Sequence, residues 1–211
     1  MENTILKLYE MCQNENFNIE EAKGLVSEVN LNEPFRESRH NSETFFLYTA
    51  VFYQNIRMVE LLLQSGANPN LIVNYECALW DLQYNVYVEE KYKSDPEVAF
   101  AADNLNLRIA QLLLEYGADT NIAPEDEDLF SYVLSAVFND DDPGRLLEYR
   151  SRFLILLVAY GGCNDCCKPE ILIPFDKSNM EQYDFSFVKC PDNYHLRGEI
   201  LDEDYNVVAI V

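Results

Sequence analysis

Two stretches of the chain, AVFYQNIRMVELLLQSGANPN at residues 50–70 and AADNLNLRIAQLLLEYGADTN at residues 101–121, are copies of one unit. At a constant offset of 51 residues, the two copies carry nine identical pairs: Ala50/Ala101, Asn55/Asn106, Arg57/Arg108, Leu61/Leu112, Leu62/Leu113, Leu63/Leu114, Gly66/Gly117, Ala67/Ala118 and Asn70/Asn121. A third copy follows 44 residues later, where the matching residues are Arg152, Leu156, Leu157, Tyr160 and Gly161. The unit therefore occurs at least three times, which is the sequence signature of a repeat architecture.

Each unit reads as a helix, a glycine stop and a polar turn. The apolar residues from Met58 to Leu63 cover a wide helical face, which a stacked repeat buries against neighbours on both sides. Gly66 then ends the helix, because a residue without Cβ adopts the left-handed conformation at lowest cost. The turn at residues 68–70, like its counterpart at residues 119–121, carries side chains that hydrogen-bond local backbone.

The segments LLLQSGANPN and LLLEYGADTN resemble the second helix and following turn of ankyrin repeats. The leucine, histidine and two alanines of that family's T-P-L-H-x-A-A signature correspond in position to Leu47, Tyr48, Ala50 and Val51, with Phe45 and Phe46 in place of Thr-Pro. The resemblance implies a solenoid that binds other proteins through turn tips and the first helices of successive units.

The repeat offsets exceed the family's period of about 33 residues, by about 18 and about 11 residues, so two units carry insertions. The first insertion is expected within residues 87–103, between a helix at residues 77–86 and one beginning near Leu105. Asp95-Pro96 suits a helix start, so this insertion is predicted to add a short helix. The second is expected at residues 139–148, between helices at residues 129–138 and 149–160.

The two ends of the chain depart from the unit. Residues 5–11 and 20–29 read as helices of a degraded repeat, as expected where one side of a stack faces water. Short strands are predicted around Phe185 and Phe187, at residues 195–201 and at residues 207–211, after an irregular connector at residues 163–183.

The predicted fold is an all-α repeat solenoid of about four helix-turn-helix units with a small C-terminal β hairpin or sheet. The expected boundaries are a degenerate capping repeat at 1–40, repeats at 41–74, 75–124 and 125–165, and an irregular connector with a β cap at 166–211. The repeats at 75–124 and 125–165 carry the insertions.

The composition of the chain disfavours several classes of partner and of cellular location. With 15 Lys and Arg against 37 Asp and Glu, the formal net charge is −22, which repels nucleic acid and anionic lipid. No apolar run reaches the roughly 20 residues of a membrane helix, and the first residues lack the basic region of a secretory signal. Six cysteines spread over 211 residues indicate reduced thiols in a cytoplasmic protein.

Acidic clusters and aromatic residues supply the candidate contacts. Carboxylates before Leu129 favour a helix N-terminus, but clusters also raise association rates with basic partners. Trp80, Tyr84 and Tyr87 share one helical face, which indicates either core packing or an interface that keeps a polar handle. The residues predicted to contact a partner are Glu76, Trp80, Asp81, Tyr84, Tyr87, Glu125, Asp126, Glu127, Asp128, Tyr132, Asp140, Asp141 and Asp142.

Metal binding and catalysis have weak signals. One short cysteine pair, Cys163 and Cys166, stands near Cys167, Cys190 and His195, whereas structural zinc sites show two paired spacings. Scattered core or turn cysteines explain the same residues. No catalytic motif is present, so neither a cofactor nor an enzymatic activity is expected.

The sequence therefore predicts a non-catalytic module that binds another protein, one of basic character, and neither nucleic acid nor membrane. The alternative is an immunity-type inhibitor that neutralises a basic toxin such as a nuclease, since small acidic bacterial proteins of this type resemble such inhibitors.

Overall fold

The computed structural model describes residues 2–36, 42–83, 96–124, 128–139, 145–162, 171–173, 198–201 and 207–210. The chain divides into two compact units, Met1–Asp126 and Glu127–Val211. The described helices of the first unit are α1 (Glu2–Cys12), α2 (Ile19–Glu28), α3 (Phe46–Phe52), α4 (Ile56–Gln64), α5 (Ala78–Asp81) and α6 (Pro96–Glu115). Its short strands are β1 (Phe35–Arg36), β2 (Glu43–Thr44), β3 (Ile72–Val73) and β4 (Glu76–Cys77).

The second unit contains α7 (Leu129–Asn139), α8 (Arg145–Ala159), β5 (Ile171–Ile173), β6 (Gly198–Leu201) and β7 (Val207–Ile210). Helix α7 packs against α8. Strands β6 and β7 are antiparallel, as predicted for the C-terminal hairpin. Strand β5 pairs in parallel with β6, so the prediction of an irregular connector throughout residues 163–183 is wrong at this strand. The predicted strand around Phe185 and Phe187 lies outside the described residues.

Helices that are close in sequence pack side by side in the first unit. Helix α1 packs against α2 and α3, α3 packs against α4 and α5, and α4 packs against α6. Leu8, Phe46, Leu62, Leu79 and Leu113 are buried in this core. The apolar face read from the repeat is thus the buried face, while the division of the whole chain into about four units stays a prediction.

The glycine stops have the predicted conformation. Gly66 and Gly117 have φ angles of +90° and +87°, in the left-handed region. The next N–H in each copy donates back to a helix carbonyl, from Ala67 to Leu62 and from Ala118 to Leu113, both at 3.0 Å. Helix α8 of the second unit ends in the same way, because the N–H of Gly162 donates to the carbonyl of Leu157 at 2.9 Å. Equivalent leucines therefore end their helices with the same Schellman cap in all three copies.

Asparagine side chains join successive turns in the first unit. The Asn70 amide donates to the Gly117 carbonyl at 2.9 Å, and its oxygen accepts the Asp119 N–H at 2.7 Å. Asn32 makes the same two bonds with Gly66 and Asn68, at 3.1 and 2.7 Å. This repetition shows that the N-terminal segment ends in the same turn as the later copies, although its sequence is degraded.

Buried amides also connect the repeats. Gln54 donates from Nε2 to Oδ1 of Asn106 at 2.7 Å, and Asn55 donates to the carbonyls of Met11 and Asn14, each at 3.0 Å. Both residues are buried, so these bonds satisfy groups that would otherwise be costly inside the core.

Three predicted helix boundaries are wrong. The helix expected at residues 77–86 is α5, which ends at Asp81, and residues 84–86 lie outside the described chain. The short inserted helix and the helix expected near Leu105 are one helix, α6, because no glycine or proline interrupts it after Pro96. Helix α8 begins at Arg145, within the segment assigned to the second insertion. The polar residues Asp103 and Asn106 are buried within α6.

The two hairpins, β1–β2 and β3–β4, differ from the prediction that the repeat body is entirely helical. Phe35 stands opposite Thr44 in the first hairpin, and Ile72 stands opposite Cys77 in the second. Strands of two residues are too short to show an alternation of apolar and polar side chains, so sequence patterning does not reveal them.

Candidate functional site

The β3–β4 hairpin and the short helix after it place acidic and aromatic side chains beside α3. Strand β4 leads directly into α5, with Cys77 extended at the helix N-cap. Glu76 therefore lies just before the helix and Asp81 in its last position. Tyr48 extends from the first turn of α3, the helix that packs against α5.

Tyr48 and Asp81 form a half-buried hydrogen-bonded pair. The Tyr48 hydroxyl donates to the Asp81 carboxylate. Burial raises the pKa of Asp81 to about 6, although this hydrogen bond acts in the opposite direction by stabilising the ionised form. Burial first, and then the negative charge of Asp81, raise the pKa of the Tyr48 hydroxyl well above its ordinary value. At neutral pH the pair therefore consists of a phenol and a carboxylate.

Glu76 adds a second carboxyl group to the pair. Burial and the charge of Asp81 both raise the pKa of Glu76 above its ordinary value. Among the described residues, neither Glu76 nor Asp81 forms an ion pair with a cationic side chain. Two neighbouring carboxyl groups are thus held partly out of water without a counter-charge from the described chain, which costs folding free energy.

Two exposed aromatic residues neighbour Tyr48 and Glu76. Phe52 is 44% exposed, and its ring stacks on that of Tyr48 with centroids 6.3 Å apart. Tyr75 is 69% exposed at the tip of the β3–β4 hairpin, next to Glu76. We call Tyr48, Phe52, Tyr75, Glu76 and Asp81 the acidic–aromatic surface.

The tip of the hairpin has an unusual backbone. Asn74 and Tyr75 both have positive φ, 52° and 68°, as the two central residues of a tight hairpin turn require. Asparagine tolerates this conformation, but a bulky tyrosine is an outlier there. The Asn74 amide also donates to the Glu43 carbonyl at 3.2 Å, which joins this hairpin to the β1–β2 hairpin. The turn is thus held to the β1–β2 hairpin, and it exposes the Tyr75 ring from a strained backbone position.

The ankyrin repeat family model matches residues 47–74, a segment that begins in α3 and ends at the β3–β4 turn. Residues 47–74 are therefore an ankyrin repeat. Ankyrin repeats generally mediate binding between proteins and are typically not catalytic. No curated protein matches the whole sequence significantly.

The candidate contact residues fall into three groups. Glu76 and Asp81 lie together in the acidic–aromatic surface, whereas Trp80 is buried, with 6% of its surface exposed. In the second unit Asp128 accepts the Ser131 N–H at 2.9 Å, which caps the start of α7, and Tyr132 is half-buried. The residues outside the described chain are Tyr84, Tyr87, Glu125, Asp126, Glu127, Asp140, Asp141 and Asp142.

Sequence reasoning did not include Tyr48 and Phe52 in the candidate site. Their spacing of four residues on one helix was available as a signal, since it places two side chains on the same face. Tyr48 also occupies the position of the signature histidine in the ankyrin repeat. Its bond to Asp81 has no local sequence signal, because the two residues lie far apart along the chain.

The described cysteines are structural. Cys12 and Cys77 are buried free thiols, and burial raises the pKa of each, so neither is activated as a nucleophile. The described residues contain no group of three or more His, Cys, Asp or Glu arranged to hold a metal ion. The cluster considered for zinc lies outside the described chain, at Cys163, Cys166, Cys167, Cys190 and His195. None of the described helices combines the length and the apolar character that crossing a bilayer requires.

Proposed function

We propose that the protein is a non-catalytic binding module that recognises a basic protein through its acidic–aromatic surface. The observation that carries this proposal is the pair of half-buried carboxyl groups, Glu76 and Asp81, without a cationic partner among the described residues. Exposed Tyr75 directly precedes Glu76, and exposed Phe52 stacks on Tyr48, the partner of Asp81. Exposed aromatics provide buried contact area in interfaces, while the carboxylates select a positively charged partner.

The charge of the whole chain supports a basic partner. A net charge of −22 attracts cationic proteins over distances beyond direct contact and raises their association rates. Residues 125–128 and 140–142 belong to the proposed contact set as contributors to this attraction, and Tyr84, Tyr87 and Tyr132 belong to it as aromatic contacts. Trp80 is buried, so the proposed contact surface does not include it.

Affinity capture with matched baits tests the proposal. We expect the wild-type protein to retain a basic protein that is lost when Phe52 and Tyr75 are both changed to alanine. The control bait carries Leu6→Ala and Tyr116→Ala, which remove two exposed apolar side chains outside the acidic–aromatic surface. Equal retention by all three baits would contradict the proposed surface.

The second candidate function is an inhibitor of the immunity type, favoured by the same strong acidity. A basic nuclease is the partner that this reading names, and the protein would cover its active cleft. The test is a nuclease assay with the captured partner. Inhibition at stoichiometric ratios favours the inhibitor, whereas binding without loss of nuclease activity leaves the binding module as the function.

A further inference from the structure

The acidic–aromatic surface combines a carboxylate acceptor with the face of an aromatic stack. Asp81 receives a hydrogen bond from Tyr48, and Tyr48 stacks on the exposed ring of Phe52. Building on the proposed function, we infer that this surface binds one arginine side chain of the partner, and that the contact weakens in mildly acidic solution.

The acceptor capacity of Asp81 supports the inference. An ionised carboxylate offers about four acceptor positions, of which Tyr48 uses one. No ion pair with a described residue uses the others. A guanidinium donates two parallel N–H bonds to a carboxylate, so it matches the part of Asp81 that remains open. Glu76 contributes further negative charge beside the same position.

The aromatic border distinguishes arginine from lysine. A planar guanidinium stacks on aromatic faces while it donates hydrogen bonds at its edge, whereas an ammonium acts as a compact, strongly hydrated charge. Phe52 and Tyr75 are the exposed rings of the surface, on α3 and on the hairpin tip. An arginine can therefore use the carboxylate and a ring face at once.

Protonation supplies the dependence on pH. Among the described residues, the titratable groups around Asp81 are Tyr48 on α3, Glu76 on β4 and Cys77 before α5, and Asp119 acts on Cys77 from the turn after α6. Because the pKa of Asp81 is about 6, the carboxylate is ionised at pH 7.5 and mostly protonated at pH 5.0. A protonated carboxyl attracts a guanidinium weakly, so affinity falls as pH falls through this range.

Peptide titration followed by NMR tests the arginine site directly. The probes are acetyl-Gly-Arg-Gly-amide and the same peptide with citrulline, which keeps the shape but lacks the charge, or with lysine. With full-length protein at pH 7.5, we expect shifts at Tyr48, Tyr75 and Asp81 with the arginine peptide, smaller shifts with lysine and none with citrulline. At pH 5.0 the arginine affinity should be about tenfold lower, following the loss of ionised carboxylate.

Asp81→Asn separates this inference from the proposed function. We expect the variant to bind the arginine peptide at least tenfold more weakly than wild type, and equally at both pH values. Shifts scattered over all surface carboxylates, or an equal response to citrulline, would overturn the arginine site. If the captured partner ignores Asp81→Asn but is lost with the Phe52 and Tyr75 variant, the inference fails while the proposed function stands. If neither variant affects the partner, both fail.

Discussion

At the scale of single residues, two buried glutamines have opposite surroundings. Gln54 donates to Asn106 at 2.7 Å. Gln83 is completely buried. Among the described residues, neither its Nε2 nor its Oε1 has a hydrogen-bond partner. A buried amide without a hydrogen bond lowers the free energy of unfolding, because it has lost its bonds to water. A hydrogen bond inside the protein compensates for most of this loss.

We therefore expect Gln83→Met to raise the free energy of unfolding by about 1–2 kcal/mol, because it removes two unsatisfied polar atoms. The matched change Gln54→Met should lower the free energy of unfolding by about 1–3 kcal/mol, since it removes the buried hydrogen bond from Gln54 to Asn106. Urea unfolding measures both. A loss of stability in both variants would show that Gln83 is satisfied in solution.

Asp81 connects ionisation to stability. Its folded-state pKa of about 6 lies above the ordinary value of 3.8, so ionisation is easier in the unfolded chain. The folded chain binds more protons between these values, and stability therefore falls as pH rises from about 4 to 6.

Asp81→Asn should remove this loss and make the protein more stable above pH 6 by up to about 3 kcal/mol, with little difference below pH 4. Urea unfolding at pH 4, 5, 6 and 7.5 measures the slope. Tyr48→Phe is the companion variant, because it deletes the donor that stabilises the carboxylate and should raise the pKa of Asp81 further, as followed by NMR. Lower stability of Asp81→Asn at pH 7.5 would refute the argument.

At the scale of structural elements, the β3–β4 hairpin is less stable than it could be, because exposed Tyr75 has a positive φ angle. A left-handed conformation costs an L-residue roughly 1–2 kcal/mol, and glycine avoids this cost. Asn-Gly is also the pair that this kind of turn favours. The exposed ring is what a partner would use.

Tyr75→Gly is thus expected to stabilise the protein by about 1 kcal/mol and to weaken partner binding. The control Tyr75→Ala removes the ring but keeps a Cβ at positive φ, so it should weaken binding without the gain in stability. Thermal unfolding and binding isotherms of both variants provide the readout. An equal change in stability for glycine and alanine would contradict strain at this position.

The turns between repeats depend on the asparagine bridges. Asn70→Ala removes two bonds to the next turn, at Gly117 and Asp119, and should lower the free energy of unfolding by about 1–3 kcal/mol. Asn68 accepts one local bond from the Asn70 N–H, so Asn68→Ala should cost less. The comparison uses denaturant unfolding, and equal costs would show that the bridge between turns adds nothing.

At the scale of the whole molecule, net charge determines encounter with a partner more than the strength of any one contact. The charge of −22 acts collectively, and salt screens it within roughly 10 Å at 0.1 M. Individual exposed ion pairs, such as Lys23 with Glu20, contribute little.

Reversal of the acidic residues at 125–128 and 140–142 should slow association with a basic partner at low salt and leave the protein folded. Stopped-flow association rates at several salt concentrations measure this effect, with circular dichroism as the check on folding. Neutral polar substitutions at the same positions provide a milder control. Their association rates should lie between those of the wild type and the charge-reversal variant. Unchanged rates at low salt would exclude electrostatic selection by these clusters.

The sequence by itself determined the repeating helix, its buried leucines and its glycine stop. These features depend on neighbours within a few residues, so periodicity and the conformational freedom of Gly66 and Gly117 are enough to predict them. The sequence also indicated the acidic character of the candidate site, and it named Glu76 and Asp81 as candidate contact residues from their place in the repeat.

Only the tertiary structure decided which residues meet across repeats. The Tyr48–Asp81 bond joins positions 33 apart along the chain, and the Asn70 bridge reaches Gly117. Trp80 was named as a contact residue and is buried. Whether a side chain at such a position faces solvent or core depends on the packing of neighbouring repeats, because the same helical face serves both purposes. Pairing between distant residues leaves no local pattern, which is why these contacts had to be seen in three dimensions.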